Sequence, residues 1–185
     1  MGLPPKPTQA VAANKVSLYD RGNYILFTMS SLTIRSFTPE DQIPARRLIL
    51  AGLGQHFGWI DENRNPDLDN IQQQYLDQGN LFIVAEKDGI IVGTGALIHE
   101  APGVSRMVRI SVSQLHQRQG IGRQLVKYLM QQAWAQGDER LVIETNLDWW
   151  DAIGLYENLG FSEYSRDEES IHLHLLLSSP PDPNR

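Results

Sequence analysis

Residues 108–133 leave little freedom: a strand, a tight glycine turn and a helix must follow one another directly. Val108, Ile110 and Val112 alternate with Arg109 and Ser111, the period of a half-buried strand. Ile121, Leu125, Tyr128, Leu129 and Ala133 follow the i, i+4, i+7, i+8, i+12 spacing of one helical face. Between them lies Gln117-Arg118-Gln119-Gly120-Ile121-Gly122-Arg123. Glycines at the mouth of a helix leave backbone N–H groups uncovered by any Cβ, so a phosphate can approach them and meet the positive end of the dipole. The same residues also suit a strand-to-helix turn that holds no ligand.

Spacing narrows the ligand. A dinucleotide fold wants Gly-x-Gly-x-x-Gly, but Leu125 stands at the third glycine position. A P-loop needs a Gly-Lys-Ser/Thr end, which is absent here. The pattern that fits is Gln/Arg-x-x-Gly-x-Gly/Ala. Downstream, Arg140 to Thr145 reads as a buried strand and Trp150 to Leu159 as a short helix ended by Gly160, with Phe161 opening another strand. Ala152-Ile153-Gly154-Leu155-Tyr156-Glu157-Asn158-Leu159-Gly160-Phe161 fits a second pattern, Ala-x-x-Leu-Tyr-x-x-x-Gly-Phe. With these two motifs in order, the chain resembles the GNAT superfamily of acyl-CoA-dependent N-acyltransferases, whose pyrophosphate-binding motif is the first.

The resemblance extends over Leu32 to Leu177. Leu32-Thr33-Ile34-Arg35 resembles the opening strand, and Thr38-Pro39-Glu40-Asp41 carries the N-cap, Pro-at-N1 and acidic first turn of a helix running to about Gly52. Asp67 to Gln78 reads as a second helix. Leu81 to Glu86 and Ile90 to Ile98 are strands joined through Lys87-Asp88-Gly89, a hairpin signal. Phe161 to Arg166 and Ile171 to Leu177 flank an acidic turn. The resulting order, β-α-α-β-β-β-α-β-α-β-β, implies an α/β GNAT fold: a mixed, mostly antiparallel sheet of about seven strands flanked by about four helices. Residues 1–31, with Pro4, Pro5 and Pro7, read as an N-terminal extension expected to be mobile, with Met29 as an alternative start. Residues 32–177 form the acetyltransferase domain and 178–185 a C-terminal tail.

Length and composition agree with one domain: 185 residues, 41% hydrophobic, bury one sizeable core. No apolar run is long enough to span a bilayer and the N-terminus lacks an apolar signal core, so a soluble, cytoplasmic protein without a membrane partner is expected. Sixteen basic against 22 acidic residues give a net charge of −6, without a basic run suited to nucleic acid. The absence of cysteine removes disulfides, thiolate metal sites and a cysteine nucleophile. Acyl transfer through a cysteine thioester is thereby removed, which favours direct attack of the acceptor on a bound thioester.

The resemblance implies acetyl-CoA as co-substrate, no metal, and a small primary amine or peptide amino group as acceptor. Dimers are frequent in the family, which makes a homodimer an expectation to test. On the same basis Ile110, Ser111 and Val112 would meet the pantetheine arm and thioester oxygen, and Gln117, Arg118, Gln119, Gly120, Ile121, Gly122 and Arg123 the pyrophosphate. Tyr156 stands at the position that commonly protonates the departing thiolate; packing in the helix-to-sheet interface is its other reading. In many relatives a Glu stands near the start of the strand before the cradle, and here that position is Arg106. Glu144, on the opposite face from Leu141, Ile143 and Thr145, and Glu100, in the loop before that strand, are the alternatives, beside solvated surface or a water-mediated path. Trp149 replaces an Asn that often contacts the coenzyme in the family; either Asn146 takes over that contact, or Trp149 and Trp150 widen or floor the slot and the contact is lost. The acceptor is expected over the first two helices and their connection, where His56, Trp59 and Asp61 combine aromatic and acidic character suited to a cationic amine with an apolar body; a solvated acidic loop competes. His172 and His174 share one strand face and read as solvent-facing, since two ligands make no zinc site. A sensor or partner module that keeps acyl-CoA without turnover is the alternative function, favoured by Arg106 as Tyr156 favours the enzyme.

Overall fold

The computed structural model describes residues 32–58 and 65–178; the two tails, Trp59 and Asp61 lie outside the described residues, and at His56 only the backbone is described. The elements are β1 (Leu32–Ser36), α1 (Gln42–Phe57), α2 (Ile71–Gln74), β2 (Leu81–Lys87), β3 (Ile90–Ala101), β4 (Val104–Val112), α3 (Ile121–Ala135), β5 (Arg140–Asn146), α4 (Trp150–Glu157), β6 (Ser162–Arg166) and β7 (Ser170–Leu176). Their order is the expected one. The strands form one seven-stranded sheet in the order β1-β2-β3-β4-β5-β7-β6. Every neighbouring pair is antiparallel except β4 with β5.

The amphipathic stripe read in α3 buries Ile121, Leu125, Val126, Leu129, Met130 and Ala133 against one sheet face, beside Ile153 and Tyr156 of α4. The opposite face packs on α1 and α2 through Phe37, Ala45, Ile49, Leu50, Leu68, Ile71, Tyr75 and Phe82. Arg35 ties β1 to the entry of α1, bonding Asp41 at 2.6 and 2.9 Å and Glu86 at 2.7 and 2.9 Å.

Two helices depart from expectation. α1 runs past Gly52 to Phe57 and stops at Gly58, which takes a left-handed φ of 73°. Gly52 is a close approach rather than a stop: a Cβ there would sit 2.8 Å from the Ser111 hydroxyl of β4. The segment expected as one helix over Asp67–Gln78 breaks into a 3₁₀ turn (Pro66–Leu68), the single turn of α2 and a second 3₁₀ turn (Leu76–Gln78). Asn70 caps α2 by accepting the Gln73 N–H, which requires a non-helical backbone in mid-segment.

β4 decides the shape of the molecule. Thr94 pairs with Ser111 and Ala96 with Val108, so Arg109 and Ile110 together oppose the single residue Gly95. Arg109 adopts φ 57°, rare for a residue with a Cβ, and its carbonyl accepts the Thr94 hydroxyl at 2.9 Å. This bulge corrects the simple alternation expected for the strand. Val108 packs on the α1–α2 side, whereas Ile110 and Val112 pack on the α3 side. On its other edge β4 pairs with β5 only from Val104 to Met107, opposite Arg140 to Ile143. Beyond these residues the strands part.

Candidate active site

The parting of β4 and β5 opens a cleft of about 660 Å³. Val108 to Val112 form one wall, Ile143 to Asn146 the other, Gln117 and Gly122 stand at the α3 end, and Trp149, Ala152, Leu155 and Tyr156 of α4 close a side. The β4 edge beyond Met107 has no strand partner toward β5, and at its far end the Val112 carbonyl accepts the Gln117 side-chain amide at 3.4 Å.

The glycine turn places the amino end of a fifteen-residue helix here. The first amides of α3 have no carbonyl one turn back, and the N-cap, Gly120, brings no side chain to cap them. Arg118 and Gly120 hold left-handed φ values of 59° and 81°. At Gly122 an added Cβ would meet only Leu155 at 3.5 Å and Val112 at 3.7 Å, ordinary contacts. Gly120 is therefore required by backbone conformation, while Gly122 leaves open the space beside the amides.

Tyr156 is 5% exposed and lines the cleft. Its ring packs edge-on against Phe161, centroids 6.0 Å apart, so the tyrosine and phenylalanine of one motif touch. Burial raises the phenol well above the ordinary tyrosine value, keeping it protonated.

Two arginines mark the opposite part of the cleft. Arg109 bonds both oxygens of Asp67 at 2.6 and 2.9 Å and the Asn65 side-chain oxygen at 2.9 Å. Tyr75 donates to Asp67 at 2.5 Å; burial, then this carboxylate, push its phenol up to about 12. Arg106 bonds both oxygens of Glu100 at 2.7 and 2.8 Å and reaches Glu144 at 3.4 Å.

Residues 45–161 match the family described as Acetyltransferase (GNAT) family. The chain belongs to that family. A curated relative, "Probable N-acetyltransferase family 8 member 5" of Mus musculus, is 35% identical over 131 residues, 68% of this chain and 58% of its own length. The chain thus spans little more than half of that relative. A GNAT-family acetyltransferase structure from Staphylococcus aureus Mu50 has a TM-score of 0.73 at 23% identity, covering 80% of this chain and all of that one. The PaiA N-acetyltransferase of Thermoplasma acidophilum, solved in complex with coenzyme A, has a TM-score of 0.67 at 15% identity, covering 79% and 99%. At such identities the structures speak for the fold.

Within this GNAT domain the cleft brings together Ile110, Ser111, Val112, Gln117, Gly122, Glu144, Asn146 and Tyr156. Arg118, Gln119, Gly120 and Arg123 belong to the turn and first helical turn at its mouth, and the Ile121 side chain is buried in the core. Trp149 lines the cleft while Trp150 is 75% exposed. Glu100 belongs to β3 rather than to a loop, because that strand continues to Ala101, and Arg106 holds its carboxyl below the ordinary value. His172 and His174 are half-buried rather than solvent-facing. Tyr164, at an irregularity in β6, lays its ring 6.0 and 5.3 Å from theirs. Arg109, Asp67 and Tyr75 escaped the sequence reading as a unit, since a bulge at an arginine has no glycine to announce it.

No helix among the described residues is long and apolar enough to cross a membrane. No cluster that could hold a metal ion occurs among them.

Proposed function

We propose that the protein is an acetyl-CoA-dependent N-acetyltransferase that acts on a primary amine by direct attack in a ternary complex. The observation that carries this reading is the parted β4–β5 wedge, with the uncapped amides of α3 at one end and buried Tyr156 on its wall. Bound in the wedge, the coenzyme supplies an acetyl group activated as a thioester. Its pyrophosphate suits the α3 amides, and its extended arm suits the edge of β4 parted from β5 at Ile110 to Val112. A peptide N–H on that edge polarises the acyl carbonyl toward attack. Tyr156, whose phenol is protonated at neutral pH, donates its proton to the sulfur as the amine nitrogen closes on the acyl carbon and the C–S bond breaks.

The amine must first lose a proton. Arg106 cannot take it, and Glu100 is held by that guanidinium in two bonds and does not line the cleft. Glu144 lines the cleft, with its side chain 49% exposed, and is the carboxylate best suited to accept the proton directly or through water.

One observation favours a binding module without turnover: the position where many relatives carry a base is an arginine held in two bonds by Glu100. Calorimetric titration with acetyl-CoA, followed by thiol release with a panel of amines, separates the two. Micromolar binding with amine-dependent release supports the enzyme. Binding with no release from any amine leaves the module, and no binding removes both.

A further inference from the structure

Arg106 does more than lack a carboxylate. Its Nε and Nη2 are committed to the two oxygens of Glu100 at 2.7 and 2.8 Å, but among the described residues Nη1 has only the long 3.4 Å contact with Glu144. Charge-assisted N–H···O bonds usually close to about 2.7–2.9 Å, so this contact is loose enough to be exchanged. Glu144 is equally undercommitted: its other oxygen meets the Ser170 hydroxyl at 3.4 Å, and His172 Nδ1 stands 3.7 Å away. Both groups line the cleft just where β4 and β5 separate. Ile49, Leu53, Ile98 and Val108 give the same cleft an apolar side. Arg109, the other cleft arginine, is already held in two bonds by Asp67 and a third by Asn65.

Building on the acetyltransferase reading, we infer that the acceptor is an α-amino acid with an apolar side chain, its carboxylate taken by Nη1 of Arg106 and its amine by Glu144. The closeness of the two groups favours a compact ligand: in an α-amino acid one carbon separates ammonium and carboxylate, so both can meet the neighbouring Arg106 and Glu144 once their 3.4 Å contact is exchanged. A peptide amino terminus offers a carbonyl at that place, which returns one weak hydrogen bond where a carboxylate returns an ion pair. A polyamine offers nothing to Arg106. The exchange also frees Glu144 from the guanidinium at the moment it must draw a proton from the amine.

The test compares phenylalanine, phenylalaninamide and phenethylamine, which share an amine and an aromatic body and differ in the carboxylate. The expected kcat/KM is at least tenfold higher for phenylalanine than for either analogue, although the amide has the more acidic ammonium and is intrinsically the readier nucleophile. Arg106→Gln should bring the ratio to about one by slowing phenylalanine, and Arg106→Lys should restore part of it. Equal use of the three by the unaltered protein overturns the inference and leaves acetyl transfer standing, as does a preference that survives in Arg106→Gln. Titration of phenylalanine and its amide into protein saturated with coenzyme A covers the other case. Tighter binding of phenylalanine with no turnover supports the carboxylate site while refuting transfer, and binding of neither compound, without turnover, refutes both.

Discussion

The clearest test of the site's scaffold is Asp67→Asn. Asp67 joins the turn before α2 to the β4 bulge through two bonds to Arg109 and one from Tyr75. The two charged side chains are 27% and 22% exposed, well short of the full exposure at which ion pairs are worth about 0–1 kcal/mol. Removing one partner of a buried pair costs about 3–5 kcal/mol, because the other charge is left uncompensated. The exposure, and the Asn65 oxygen that remains on Arg109, reduce this to about 2–3 kcal/mol. For a domain of this size each kcal/mol moves Tm by about 2–4 °C, so a fall of about 4–12 °C is expected. Urea denaturation should show a lower midpoint at unchanged slope, marking a loss of stability without a change in compactness. A loss under about 0.5 kcal/mol, the ordinary range of surface substitutions, would refute the argument that Arg109 depends on Asp67.

The remaining expectations concern chemistry and pH. At Gly122 a Cβ meets only ordinary contacts, so Gly122→Ala should fold normally and Gly122→Val, bulkier beside the amides, should weaken acetyl-CoA further in calorimetry; unchanged affinity in a folded Gly122→Val protein would remove α3 as the phosphate site. Tyr156→Phe keeps the ring against Phe161, so coenzyme affinity and Tm should hold while kcat falls by roughly 10²-fold, and full activity would strike the phenol from the mechanism. Glu144→Gln should slow acetylation near neutral pH and recover at high pH, where free amine is plentiful; parallel rate profiles would exclude it as the base. For Asp41, burial raises the carboxyl but Arg35 and the Thr38 N–H outweigh it and hold it low. Its contribution to stability is therefore complete above about pH 4, its unfolded value, and lost as pH falls through the lower folded value, so the gap between the parent and Asp41→Asn should narrow in acid.

Much of this molecule was legible because its signals are periodic or local. The stripe of α3 and the Asp88–Gly89 hairpin appear where read, with Asp88 and Gly89 at φ 53° and 77°. What escaped is set by distant contacts. Gly52 reads as a helix end but answers to Ser111, fifty-nine positions away, and nothing in its neighbourhood says so. His172 and His174 alternate as outward residues should, yet the shift in pairing between Glu163 and Ser165 leaves Tyr164 over them. Trp149 and Trp150 look equivalent in sequence, but Trp149, the N-cap of α4, lines the cleft while Trp150, its first residue, is exposed.

The bulge in β4 joins both halves of the cleft in one irregularity. Inserting Ile110 beside Arg109 opposite Gly95 turns the following residues over relative to Val108, so Ile110 and Val112 anchor the strand on the α3 side, where the proposed phosphate-binding amides lie. The same insertion sends the Arg109 side chain to Asp67, Asn65 and Tyr75 on the α2 side, where the acceptor is expected. In a regular strand Val108 would share the face of Ile110 and Val112; the bulge instead leaves it on the α1–α2 side together with Arg109. A defect in the Asp67 network that preserves folding should therefore reach the acceptor first, as a raised KM, and the coenzyme only insofar as the bulge itself relaxes.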